Sequence, residues 1–257
     1  MFISLAFLFL AGMCMGSFFN VCIYRIPAGL SIVRPGSTCP RCNTPIRFYD
    51  NIPVLSYLIL GGRCRHCKAA ISLRYPMVEA LTGLLTLGVA FKFGLTLEAG
   101  VWLALVYSLV VITFIDYDHQ IIPDVITLPG ILVFGACAHW IMGSSFLDIG
   151  LGILAGGGLL YGVTLIYFLL RGVQGMGGGD IKLLAMLGTV LGVKGALFTI
   201  FGASVLGALV GVGTMVVQRQ FDARLRLPFG PFIAAGAVIY IFWGDAVIRS
   251  YLGLLIS

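Results

Sequence analysis

Acidic residues are scarce in this chain, ten in 257, and four of them fall in two short stretches. "FIDYDHQIIPD" (114–124) carries Asp116, Asp118 and Asp124, and "GMGGGDIKLL" (175–184) carries Asp180. Asp118 and Asp124 read as solvated residues at helix ends, with Asp124 placed beside Pro123 where a carboxylate meets free helix-start amides. Asp116 reads otherwise, because it directly follows the apolar run "LVYSLVVITFI" and so closes a buried helix. An ionisable group at that depth points to function. Two carboxylates from different helices facing one cavity can share a proton, one ionised and one protonated, which is the acid–base pair of an aspartic protease. The histidines, His66, His119 and His139, have no G-x-S-x-G nucleophile signature near them and form no H-E-x-x-H metal motif.

A second constellation is made of thiols. "CPRC" (Cys39, Cys42) and "CRHC" (Cys64, Cys67) are separated by twenty-one residues, the spacing of two zinc-ribbon knuckles. Four thiolates close a tetrahedron around Zn²⁺, which would hold together a segment too small to build a sufficient core. His66 lies inside the second knuckle as a bystander, and Cys14, Cys22 and Cys137 lie in apolar runs as packing residues.

The elements that must position these groups are membrane helices. With 60% hydrophobic and 10% charged residues the composition excludes a soluble globular protein. At roughly 20 apolar residues per crossing, spans are predicted at 2–23, 77–93, 99–116, 125–143, 147–170, 181–193, 195–217 and 230–248. The fold class is therefore an all-α polytopic membrane protein of about eight transmembrane helices, with a small cytoplasmic zinc-ribbon-like insertion between the first and second. The expected divisions are 1–23, the first transmembrane helix; 24–76, the Cys₄ insertion; and 77–257, the bundle carrying the aspartates. The N-terminal run lacks a basic leader and a small-residue cleavage site, so a retained signal anchor is expected.

Orientation follows from lysine and arginine, which stay cytoplasmic near span ends. Thirteen of the sixteen basic residues fall within 24–76 or in alternate loops, including Arg171, Lys182, Arg219, Arg224 and Arg226. Both termini are then outside, and both aspartate stretches lie on the cytoplasmic side. That same pattern accounts for the net charge of +6, so the lipid bilayer and not nucleic acid is the expected partner of this charge.

One glycine would suffice before a helix, whereas "GMGGG" removes side chains from a whole turn and lets another backbone come close. The shortened span after it fits a helix buried in protein or lining a cavity. Helix-end electrostatics place the anion on Asp180, at a helix start, and the proton on Asp116, at a helix end.

"GSFFNVCIYRIP" (16–27), the two CxxC pairs, "RYPMVE" (74–79), "FIDYDHQIIPD" and "GMGGGDIKLLAMLG" (175–188) occur together and in this order. In these motifs the chain resembles the bacterial type IV prepilin peptidase family over nearly its whole length. The resemblance implies that Asp116 and Asp180 are the catalytic pair of an aspartic endopeptidase of the bacterial inner membrane. Its substrates would be prepilins or type II secretion pseudopilins, cut after a glycine behind a short basic leader. It also implies N-methylation of the new N-terminal residue from S-adenosylmethionine, a reaction that the CxxC insertion accompanies and for which no glycine-rich fingerprint is visible. Glu79 reads as a cap of the second span, with a role in methyl transfer as the lesser alternative, and Ser17 and Asn20 as helix-to-helix hydrogen-bonding residues. Two rival classes remain on the residues alone. One is a transporter or channel in which the Asp116/Asp180 pair moves protons or ions, and the other an inactive scaffold that binds pilins through the zinc segment.

Overall fold

The computed structural model describes residues 2–172, 177–218 and 227–256. Every regular element among the described residues is helical: α1 (Phe2–Arg25), α2 (Leu55–Ile59), α3 (Arg74–Phe93), α4 (Leu97–His119), α5 (Asp124–Trp140), α6 (Phe146–Ile153), α7 (Leu159–Arg171), α8 (Gly178–Gln218) and α9 (Gly230–Ile256). A π-helical turn, Leu154–Gly158, joins α6 to α7. Among the described residues six helices are long and apolar enough to cross a membrane, and α5 is a shorter apolar one. Gly192 interrupts α8 with φ 65° and ψ −172°, values no helix adopts, and so divides it where the predicted spans 181–193 and 195–217 meet. With that division, the described residues hold the eight apolar segments expected. Gly175, Met176, Arg219, Arg224 and Arg226 lie outside the described residues.

The chain forms two compact units, Met1–Val111 and Ile112–Ser257. In the first, α1 packs along α3 through a seam of small residues. A Cβ on Gly12 would sit 2.9 Å from the Gly83 Cα, and one on Gly16 would sit 2.7 Å from the Glu79 Cα. Hydrocarbon around helices gives no drive for them to associate, so close backbone approach and polar contacts must supply it. Asn20 donates from Nδ2 to the Tyr75 carbonyl across this seam. Thr86 shares a 2.7 Å hydroxyl contact with Tyr107 of α4, whose ring meets Phe19 edge-on. Asn20 thus has the interhelical role its position suggests.

In the second unit α8 is central, packing on α5, α6, the π turn and α9. Leu183 to Leu191 are buried without interruption, so this stretch of α8 is apolar on all sides where protein surrounds it. Its approach to α6 is backbone on backbone. A Cβ on Gly188 would lie 2.1 Å from the Gly152 carbonyl oxygen, and one on Gly152 would lie 2.0 Å from the Gly188 oxygen. Neither atom is a flexible side-chain end that could yield.

Gly188→Val is therefore expected to force α6 and α8 apart and to destabilise the second unit by about 1–3 kcal/mol or more. Gly162→Ala, where an added Cβ meets nothing within 4 Å, should leave the melting temperature unchanged or slightly raised. Equal melting of purified Gly188→Val and wild type would show that the two helices do not pack this closely.

Candidate functional site

Asp116 lies in the last turn of α4 and is 5% exposed. The helix ends just beyond it, where Gln120 takes a positive φ of 53° while its amide still donates to the Asp116 carbonyl. Asp180 lies in the first turn of α8, two residues inside the helix that begins at Gly178, so it does not occupy the cap position. Two contacts bring these helix ends together. Gly179 lets the start of α8 close on the link between α4 and α5, since a Cβ there would stand 2.9 Å from the Ile122 Cβ. On the other side Lys182 donates to both carboxylate oxygens of Asp124 at 2.7 Å. The backbone admitted by the glycine turn is thus the chain's own. Asp116 lies near enough to Asp180 for its charge to act there.

Asp124 starts α5 as predicted but accepts the Lys182 ammonium in place of capping amides: the cap position falls to Pro123, and no side chain bonds there. Asp118 is exposed, in keeping with a solvated helix-end residue.

The residue that sequence reasoning passed over is Gly230. Its amide donates to Asp116 Oδ2 at 2.8 Å in a buried contact between residues 114 positions apart. The reason is local. Gly230 is the first residue of α9, Pro231 after it has no N–H, and the amides of Phe232 and Ile233 both return to the Phe229 carbonyl. The Gly230 N–H is a helix-start donor with no partner in its own helix, and the carboxylate takes it. A side chain would block the approach, since a Cβ on Gly230 would lie 2.7 Å from Asp116 Oδ2 and 3.2 Å from its Cβ. The signal was present in "PFGPF" (228–232), where a proline directly after a glycine marks a helix start. Reading side chains for chemistry overlooks a main-chain donor. The helix-end reading, which puts the proton on Asp116, did not include this contact, which sets the carboxylate against the positive start of α9.

In the first unit the four cysteines meet. The sulfurs of Cys39, Cys42, Cys64 and Cys67 lie within 4.8 Å of one another, and Cys39 and Cys67 are 3.9 Å apart. Zn–S bonds of ~2.3 Å at tetrahedral angles put sulfurs about 3.8 Å apart, so the donor set fits that ion. The two knuckles are built alike. In the first, the Cys39 amide donates to the Thr44 carbonyl and the Asn43 amide to Cys39; in the second, Cys64 donates to Ala69 and Lys68 to Cys64. Asn43 and Lys68, each directly after the second cysteine, both take positive φ, 55° and 58°. Short antiparallel bridges, Thr38 to Pro45 and Arg63 to Ala70, close each turn. The Thr44 hydroxyl and amide draw the Cys42 thiol down to about 6, and the amides of Cys67 and His66 draw Cys64 below the usual thiol range. Both are thereby favoured as thiolates, the form that binds metal. His66 is outside the cluster. Cys22 is buried as a packing residue, whereas Cys14 is exposed.

Glu79 is the sixth residue of α3 and not its cap. Its carboxylate is 8% exposed, accepts the Val54 amide at 2.7 Å and also bonds the Ser17 hydroxyl.

Residues 10–93 match the family model described as the bacterial peptidase A24 N-terminal domain, and residues 103–212 match that of the type IV leader peptidase family. The chain belongs to the type IV leader peptidase family. A prepilin leader peptidase/N-methyltransferase of Pseudomonas aeruginosa is 40% identical, over 95% of this chain and 91% of that protein. One of the same name from Aeromonas salmonicida is 38% identical over 100% and 96%, and one from Burkholderia pseudomallei 36% over 94% and 86%. No solved structure matches the chain. Both candidate clusters of this peptidase-family chain fall inside the matched segments, the cysteines in the first and the aspartates in the second.

Replacing one of four thiolates opens the tetrahedron. Cys39→Ser is expected to lower bound zinc from one per chain to near none and to expose the insertion to protease, with the protein still recovered in the membrane fraction. Metal analysis of freshly purified, reduced wild-type protein is the check, and an absence of zinc there would overturn the assignment.

Proposed function

We propose that this chain is an aspartic endopeptidase of the bacterial inner membrane. It removes the basic leader of type IV prepilins or type II secretion pseudopilins on the cytoplasmic side and methylates the exposed N-terminal residue. The names of the relatives support the substrate class and both reactions. The observation that carries the aspartic mechanism is the Asp116 carboxylate, buried and seated on the Gly230 amide, within reach of the charge on Asp180. In this reading residues 24–76 form a zinc-stabilised insertion held by Cys39, Cys42, Cys64 and Cys67, residues 77–257 carry the protease, and both termini face outward.

The Gly230 amide and the start of α9 hold Asp116 as the anion, so Asp116 is the general base and Asp180 the protonated acid. Asp116 takes a proton from water as the water oxygen bonds to the scissile carbonyl carbon, and Asp180 gives its proton to the carbonyl oxygen. The tetrahedral intermediate then collapses. The C–N bond breaks, the proton held by Asp116 passes to the departing amine, and Asp180 recovers its own from the hydroxyl. Gly177 and Gly178, where an added Cβ would meet no element but α8, keep side chains away from the approach to Asp180, where an extended peptide needs room.

Asp116→Asn and Asp180→Asn are each expected to lower prepilin cleavage by at least about 10²–10⁴-fold, the usual worth of general acid–base catalysis. Asp118→Asn should stay within a few-fold of wild type. Gel analysis of a purified prepilin reads all three, with melting temperature as the check on folding; full cleavage by Asp116→Asn would show that the wrong carboxylate was chosen.

Gly230→Ala tests the seat of the base. Displacing Asp116 by even a fraction of its 2.8 Å contact is expected to reduce kcat by about 10²-fold with KM little changed. A rise in KM at constant kcat would instead assign Gly230 to substrate binding.

A further inference from the structure

The first unit contains a cleft of about 350 Å³ between one face of α1 and the loops that fold back on it from the insertion. Ser17, Phe18, Val21 and Arg25 line it from α1, and Ser37 and Asn51 from the insertion. Its size lies within the range of ~300–1,000 Å³ usual for small-molecule sites. The walls are built. Arg25 donates to the carbonyls of Ser31 and Gly36 and so pins the loop that faces α1, and its other N–H groups find no acceptor among the described residues. Behind the cleft, the Glu79 carboxylate ties Ser17 of α1 to the Val54 amide. Val54 has φ 60° and ψ −47°, and the Leu55 amide donates to the Pro53 carbonyl across it at 2.6 Å. That is a γ-turn centred on a β-branched residue, a strained conformation that persists only where the surroundings hold it. Such strain is concentrated at ligand clamps and active sites.

We propose that this cleft is the methyl-donor site and that it takes S-adenosylmethionine, an assignment that rests on the N-methyltransferase reading above. The lining matches the three parts of that molecule. The Phe18 ring offers a face for adenine or for the sulfonium cation. The Arg25 guanidinium is the partner for the α-carboxylate, and the Ser37 hydroxyl and Asn51 amide suit the ribose hydroxyls and the ammonium. In the transfer, the free amine at the new pilin N-terminus attacks the methyl carbon. The carbon–sulfur bond breaks with its electron pair left on sulfur, and the products are a secondary ammonium and the neutral thioether S-adenosylhomocysteine. The amine loses its ammonium proton to water before attack. Glu79 and Ser17 are positioning residues here, since they hold the strained turn against α1.

The test uses the full-length purified protein. Ultraviolet cross-linking of methyl-labelled S-adenosylmethionine to wild type, followed by peptide mapping, is expected to label segments within 14–37 or around Asn51, with excess S-adenosylhomocysteine blocking it. In calorimetric titration, Phe18→Ala and the cleft-filling Val21→Phe should each weaken binding by about tenfold or more, the loss of one good contact. Leu58→Ala, on exposed surface away from the cleft, should bind as wild type. Zinc content and melting temperature show which variants are folded, and the cross-linking result stands without any variant. Labelling elsewhere, or wild-type affinity in both folded cleft variants, overturns the site while leaving the methyltransferase reading intact. If wild type neither binds S-adenosylmethionine nor methylates a cleaved pilin, the methyltransferase reading itself fails, and the site with it.

Discussion

A carboxylate buried at the end of a membrane helix has no water to satisfy it, and the last residues of its own helix offer acceptors, not donors. Asp116 resolves this with the free amide at the start of α9. Much of the second unit can be read as the means of bringing that amide to that oxygen. Gly230 has no side chain where one would collide with the carboxylate, and Pro231 leaves the neighbouring position without a donor. Because α9 packs on α8, the same arrangement ties Asp116 to the helix that begins beside Asp180. The helix dipole and the hydrogen bond act in one direction, toward the Asp116 anion.

Close backbone approach is the second recurring device. Glycine pairs set α6 on α8 in one unit and α1 on α3 in the other, as expected where hydrocarbon chains surround the helices and hydrophobic burial gives little drive for association. It has a consequence at the candidate site, because a central helix fixed by carbonyl-to-glycine contacts has little freedom to slide. Asp180 therefore inherits a defined position from Gly188 on its own helix and from Gly152 on another.

The cysteine cluster shows a different economy. Two turns of the same construction, offset by twenty-five residues (Cys39 to Cys64, Asn43 to Lys68), present two sulfurs each, so one short recipe used twice makes a four-coordinate site. A Zn²⁺ ion bound there would replace the hydrophobic core that such a short segment lacks.

The sequence by itself determined the helical class, the span positions and the knuckle pattern, because each follows from local composition: apolar length, cysteine spacing and glycine or proline breaks. The break at Gly192 and the helix start at Asp124 were legible for that reason, as was Asp116 as a residue out of place at the end of an apolar run. Tertiary structure decided what meets what. Nothing in "PFGPF" says which carboxylate its free amide will serve, nothing in Lys182 names Asp124, and Glu79 looked like a cap until Val54 was folded onto it. Contacts between residues 114 or 58 positions apart depend on how helices pack, and packing is set by complementary surfaces contributed by several segments at once. For the same reason the proposed role of Asp116 as the base rests on α9 and not on the helix that carries it. Local rules supplied the dipole of that helix, whereas the amide at the start of α9 reaches the carboxylate only through the fold.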